Sequence, residues 1–205
     1  LSNVPVVLHE QNAVVGTTNK WLSKLTRHKL AAFPNSLEGA DVVGNPIRAD
    51  ISAIESPSIR FKTFVQNVEA ANKSINLLVL GGSLGARRLN QVVPAALALM
   101  NENIRPNVWH QTGALSHQET IEAYEKNNIK AKVDVFIDDM KEAYQWSELV
   151  VCRSGALTVS EITAVGVAAI FIPYPHAIDD HQTMNAMWIV NNNAGLLCDE
   201  KELTA

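Results

Sequence analysis

The run LLVLGGSLGARRLN, Leu77 to Asn90, sets four apolar residues directly ahead of a glycine-rich turn and an Ala/Arg/Leu stretch. A turn of this kind between a strand and a helix offers free amides and the positive end of the helix dipole, and glycine lets an anion approach the backbone closely. Gly82 and Ser83 are its candidate contacts, Ser83 through its hydroxyl. A second loop, CRSGALTVSE from Cys152 to Glu161, again opens an apolar strand into Ser154-Gly155 and a helix start, with Arg153 beside it. Either turn alone could be a tight connection with no ligand; the pair points to an anionic ligand, and phosphate is the expected anion. A kinase-type P-loop would need Gly-Lys-Ser/Thr, which is absent. A dinucleotide site would want G-x-G-x-x-G and an acid about 20 positions later, yet the next strand ends in His110-Gln111-Thr112-Gly113.

Three further loops carry polar groups. VVLHEQN places His9, Glu10, Gln11 and Asn12 at the end of the first strand. His9 and Glu10 read either as an acid/base couple or as part of a turn capped by Asn12. In FIDDM, Asp138 and Asp139 read as caps of the next helix ahead of the alternative, catalytic carboxylates. PYPHAIDDHQTMNA holds His176, Asp179, Asp180 and His181, but histidines five apart fix no tight ligand geometry. The simpler reading makes Asp179 or Asp180 a helix N-cap and turns His181 and Gln182 toward a pocket. At 100° per residue, Glu161 shares a stripe with Leu157, Ala164 and Val165, which would aim its carboxylate inward at sugar hydroxyls. Val159 and Ile162 mark a competing apolar face, on which Glu161 would be an ordinary solvated side chain.

Apolar β-rich runs alternate with helical periodicity, the pattern of βα units around a parallel sheet. Strands are expected at 5–8, 29–33, 75–80, 107–110, 132–136, 149–152, 168–172 and 195–198. Helices are expected at 16–25, 86–100, 116–126, 140–146, 156–165 and 182–191, with Pro94 predicting a late start or a kink in the second. GNPIR, Gly44 to Arg48, and the pattern-poor stretch 52–74 mark a junction. Residues 1–46 then form the tail of one lobe and 47–205 a second lobe.

The 205 residues are 47% hydrophobic and 19% charged, the composition of a folded globular chain. A net charge of −4 with scattered Lys and Arg excludes a nucleic-acid footprint. The two cysteines, Cys152 and Cys198, read as buried reduced thiols. No apolar run approaches the roughly 18 residues a membrane span needs. The chain opens Leu1-Ser2-Asn3 and is strand-like by Val4, as the interior of a longer protein would be.

Taken in order, HEQNAVVGTTNKWL, VVGNPIR, LVLGGSLGARRLN, HQTG, FIDDM, VVCRSGALTVSE and PYPHAIDDHQTMNA resemble successive motifs of the MurG family of peptidoglycan transferases. The resemblance implies an α/β GT-B glycosyltransferase: a Rossmann-like parallel-sheet lobe that binds the donor, and the tail of a second Rossmann-like lobe that binds the acceptor. It implies inverting transfer of N-acetylglucosamine from UDP-N-acetylglucosamine to undecaprenyl-pyrophosphoryl-N-acetylmuramoyl-pentapeptide, with no metal or cofactor, at the cytoplasmic face of the bacterial inner membrane. By resemblance, Arg48 and Ser83 contact the nucleotide and phosphates, and Ile137 meets the uracil through its backbone. Ala156, Leu157, Thr158, Val159, Ser160 and Glu161 form the donor segment, with Glu161 on the ribose. Gln182 binds the sugar, and Asn12 lies near the sugar or acceptor. His9, Glu10, Gly82, Arg153 and His181 are secondary candidates.

Family members also carry an N-terminal GGTGGH loop whose histidine is a candidate base, a membrane-facing patch and a second acceptor loop. This chain contains none of the three, and the last C-terminal helices of the family are also expected to lie outside it. The expectation is therefore a polypeptide that binds donor and is deficient in transfer, its catalytic base unassigned. Rival readings are another GT-B UDP-sugar enzyme, an epimerase of related architecture, or a nonenzymatic UDP-sugar-binding module; HEQN separates the first two from the family. A dehydrogenase is disfavoured by the missing ribose acid.

Overall fold

The computed structural model describes residues 4–60, 74–82, 85–175, 177 and 180–205. Its apolar runs pair into two parallel sheets. Val7–Glu10 (β1), His28–Ala31 (β2) and Asp41–Val42 (β3) form the first, in that order. Asn76–Leu80 (β4), Asn107–Gln111 (β5), Ala131–Asp134 (β6), Leu149–Cys152 (β7), Ala168–Phe171 (β8) and Gly195–Leu197 (β9) form the second, ordered β6-β5-β4-β7-β8-β9. The chain therefore winds outward from β4 in one direction, returns, and winds outward from β7 in the other. This is the doubly wound arrangement, and the strand order reverses between β4 and β7.

Helices Thr17–Leu22 (α1), Ala49–Ser52 (α2), Pro57–Arg60 (α3), Arg87–Leu99 (α4), His117–Lys126 (α5), Met140–Trp146 (α6), Ala156–Val165 (α7) and His181–Val190 (α8) connect the strands. The strand period of two sends alternate side chains of the larger sheet to opposite cores. Leu77, Val79 and Val108 pack with Leu89, Val93 and Leu97 of α4 and Tyr124 of α5. Leu78, Leu80, Val150 and Cys152 pack on the other face with α6, α7 and α8. Phe33, Ile51 and Ile54 join that second core, so the segment after the first sheet is anchored on the larger one.

Most expected elements stand within two or three residues of their sequence bounds. Strand β3 was not expected: it is two residues long with both side chains exposed, and so carries no periodic signal. Strand β6 ends at Asp134 rather than at Phe136, whose ring is exposed beyond the sheet. Helix α4 starts at Arg87 and runs through Pro94. Burial of Leu89, Val93 and Leu97 offsets the roughly 3 kcal/mol that an internal proline costs. Within the pattern-poor junction the chain forms α3, and residues 61–73 lie outside the described residues. Among the described residues no helix is long and apolar enough to cross a membrane. Cys152 is buried and Cys198 only partly so, and neither is in a disulfide. Burial pushes the Cys152 thiol well above its usual range, which makes it inert.

Candidate functional site

Strands β4 and β7 pair in parallel with Leu80 opposite Cys152. Two sequence-distant turns, Gly81-Gly82 and Arg153-Ser154, therefore leave the sheet side by side at its carboxyl edge, where doubly wound folds bind ligands. A cavity of about 300 Å³ opens there, lined by Arg48, Gly82, Gln111, Ile137, Asp138, Arg153, Thr158 and Glu161 among others. Gly82 has φ +78° and open space where a side chain would stand, so its backbone faces the cavity bare. Helices α4 and α7 start just behind the two turns.

Glu161 is held from two sides. The Tyr144 hydroxyl donates to Oε2 at 3.0 Å, and Arg48 Nε stands 3.9 Å from Oε1. Burial, reinforced by the neighbouring carboxylate, raises the Tyr144 phenol well above its usual range, so it remains the donor. Arg48 is half exposed, and its long ion pair contributes little by itself. The result is a carboxylate at the cavity wall, 19% exposed, with lone pairs left for a ligand's hydroxyls. Its stripe reading needs correcting. The buried face of α7 is Val159, Ile162 and Val165, while Leu157 and Ala164 are exposed. Glu161 reaches the cavity from the flank of the helix.

The remaining candidates divide. Ile137 is buried at the cavity wall, and Asp139 caps α6 by accepting from the Glu142 amide at 2.8 Å, as the FIDDM reading expects. Ala156 begins α7, Thr158 lines the cavity, and Val159 is spent on the core. Ser160 faces the junction, where its hydroxyl accepts from Asn45 Nδ2 at 3.0 Å. Arg153 donates to the carbonyls of Ile172 and Pro173, both at 3.1 Å, pairs with Glu200 and lies over the Tyr174 ring. Gln182, in the first turn of α8, accepts from the Tyr174 amide at 2.9 Å. Neither Gln182 nor His181 lines this cavity. Asp180 occupies the N-cap position of α8, but with φ +51°, and it accepts from the Thr183 hydroxyl at 2.7 Å instead of from a backbone amide. Ser83, His176 and Asp179 lie outside the described residues.

His9 and Glu10 do not form a couple, because successive strand residues point to opposite faces. His9 Nε2 meets the Gly44 carbonyl at 3.0 Å. Glu10 is buried and accepts from the Asn12 amide (2.9 Å), the Gly16 amide (3.2 Å) and Asn19 Nδ2 (2.8 Å). Glu10 therefore holds the loop together, whereas Asn12, the cap in the turn reading, accepts from Asn185 Nδ2 and caps no backbone amide among the described residues. Sequence reasoning missed Tyr144, Gln111, Asn45 and Asn185. The two asparagines lie inside quoted motifs, but only burial reveals that they are structural donors. The Ser154 hydroxyl is also buried, with no partner among the described residues.

Paired turns at the strand-order reversal, with a carboxylate fixed in the cavity between them, belong to a doubly wound α/β unit of the GT-B type that packs beside a smaller, three-stranded parallel sheet. The profile of the glycosyltransferase family 28 C-terminal domain matches residues 76–205, and the chain belongs to that family. Over its whole length it is 46% identical to the UDP-N-acetylglucosamine--N-acetylmuramyl-(pentapeptide) pyrophosphoryl-undecaprenol N-acetylglucosamine transferase of Bordetella petrii. It is 50% identical to the enzyme of the same name from Burkholderia cenocepacia. The chain spans 55% of the length of each of these relatives. It superposes on the crystal structure of Acinetobacter baumannii MurG with a TM-score of 0.81 and 38% identity, covering 98% of this chain and 55% of that one. The glycotransferase of kitacinnamycin, 17% identical with a TM-score of 0.54, shares the fold.

Proposed function

We propose that this chain is the donor-binding part of an inverting glycosyltransferase that takes UDP-N-acetylglucosamine. In the whole protein it would pass N-acetylglucosamine to undecaprenyl-pyrophosphoryl-N-acetylmuramoyl-pentapeptide at the cytoplasmic membrane surface. The observation that carries the reading is the placement of Glu161: a tethered carboxylate in the same cavity as two helix-opening turns. The turns suit a diphosphate, and the carboxylate suits the ribose diol. Ile137 borders the space left for the base and Arg48 the nucleotide, and the family resemblance assigns Ser83 to the phosphates. Gln182 and Asn12 are assigned to the sugar end, beyond the diphosphate.

In this reading the acceptor hydroxyl attacks the anomeric carbon opposite UDP. The bond to the diphosphate oxygen breaks, UDP leaves with the electron pair, and the acceptor's proton passes to a base of the whole protein. One displacement inverts the centre and leaves a β linkage. Amides of the two turns and the N-termini of α4 and α7 meet the charge that grows on departing UDP, where stabilisation lowers the barrier most.

Calorimetry with UDP-N-acetylglucosamine, UDP-glucose and NAD tests the proposal. Binding of the two UDP sugars and none of NAD is expected. Glu161→Ala removes hydrogen bonds to a charged acceptor worth about 1.5–3 kcal/mol, so its affinity should fall roughly 10- to 100-fold. Equal affinity in the variant would remove Glu161 from the site.

A further inference from the structure

Asn185, in the second turn of α8, is completely buried and therefore cannot touch a ligand in the crevice. Both of its amide hydrogens and its oxygen are nevertheless hydrogen-bonded, to both units of the protein. Oδ1 accepts from the Ala13 amide at 2.8 Å. Nδ2 donates to Asn12 Oδ1 and to the Ser154 carbonyl, each at 3.2 Å. The amide's orientation is fixed, since a flip would set its NH2 against the Ala13 N–H and its oxygen against the Ser154 carbonyl. Ala13 and Asn12 belong to the loop after β1, and Ser154 to the turn after β7. From the opposite side Glu10 holds the Asn12 backbone at 2.9 Å, and Asn12 Nδ2 lies 3.5 Å from the same carboxylate. Asn45 ties the same loop to α7 by donating to the Gln11 carbonyl and to Ser160, both at 3.0 Å.

We infer that Asn185 is a positioning residue: it locks the Asn12 side chain and the Ser154-Gly155 turn into one frame, so that the sugar-facing group of the first unit and the diphosphate-facing turn of the second keep a fixed relation. The inference deepens the proposed function and rests on the crevice holding a UDP sugar. Its physical basis is the cost of disorder. Buried donors and acceptors that bridge two sheets leave each other unsatisfied if either sheet shifts, so the bridge holds as a unit.

The test combines a ligand-free measurement with a binding ratio, on the full chain and its Asn185→Ala variant. Without ligand, hydrogen exchange should show the Ala13 amide protected in the wild type and at least tenfold less protected in the variant, with β4 amides unchanged. With ligand, the ratio of UDP-N-acetylglucosamine affinity to UDP affinity should fall about tenfold. Adding Asn12→Ala to that background should cost little more, because the two act as one. General destabilisation would lower both affinities together and leave the ratio alone. Unchanged Ala13 protection, an unchanged ratio, or fully additive losses would each overturn the inference. If the wild-type chain binds no UDP sugar, the proposed function fails, and the exchange result still decides whether Asn185 bridges the units. Should Asn185→Ala fail to fold, Asn185→Ser, which keeps a polar group in the same place, is read in the same way.

Discussion

Replacing Gly85 with alanine is expected to destabilise the protein by about 2–5 kcal/mol and to abolish binding at the crevice. Gly85 has φ +76°, a conformation that costs an L-residue roughly 1–2 kcal/mol. Its added Cβ would also stand 2.4 Å from the Thr112 carbonyl oxygen, well inside contact distance. Overpacking of this kind costs roughly 1–3 kcal/mol where the neighbour cannot retreat. Here it cannot, because the Thr112 carbonyl is held by Asn90 Nδ2 at 3.0 Å from helix α4. Gly82 supplies the control: its φ is +78°, but among the described residues nothing lies within 4 Å of the added Cβ, so Gly82→Ala should show only the backbone cost. Urea denaturation of both variants reads the difference. Equal midpoints would mean that the loop does not rest on Thr112 as described.

The second large effect is acid lability centred on His110. This residue of β5 is completely buried, its Nδ1 2.9 Å from the Tyr124 hydroxyl and its Nε2 3.0 Å from Asn90 Oδ1. The chain of bonds has one direction. Asn90 spends its NH2 on Thr112, so its oxygen must accept from His110 Nε2–H, and Nδ1 must then accept from Tyr124. A proton on Nδ1 would break this chain inside an apolar core, and burial accordingly holds the imidazole down to about 3 from 6.5. Above pH 6.5 neither the folded nor the unfolded chain protonates this ring, and the site costs nothing. As the pH falls from there toward 3, the unfolded chain takes a proton that the fold refuses. Stability then drops by about 1.4 kcal/mol per pH unit from this group, on the order of 5 kcal/mol in all. His110→Gln keeps a donor and an acceptor but cannot titrate. It should start less stable near neutral pH and lose about 3 kcal/mol less than the wild type on acidification to about pH 4.5. Parallel stability curves for the two proteins would rule out His110 as the source.

These two effects share a structure, since Asn90 links the buried histidine to the carbonyl beneath Gly85. The glycine-rich turn is thus seated, through the Thr112 carbonyl, on a polar network three side chains deep, Asn90, His110 and Tyr124, and the crevice inherits its rigidity from the core below. HQTG and GARRLN are visible as strings, but nothing in either indicates that Asn90 and His110 meet.

The amino-acid sequence by itself determined the local alternation: which runs are strands, which are helices, and where glycine opens a turn between them. Strand β7 and helices α6 and α7 have the expected bounds, because periodicity, Asp139 at a cap and Gly166 after α7 are encoded within a few neighbouring residues. Motif order likewise carried the family resemblance. Tertiary structure alone decided adjacency: that β4 lies beside β7, that Tyr144 and Arg48 converge on Glu161, and that Glu10 and Asn185 are buried bonding centres rather than surface polar residues. Those outcomes depend on contacts between residues tens of positions apart, where burial turns an ordinary hydrogen bond into a constraint that neither partner can abandon without leaving the other unpaired.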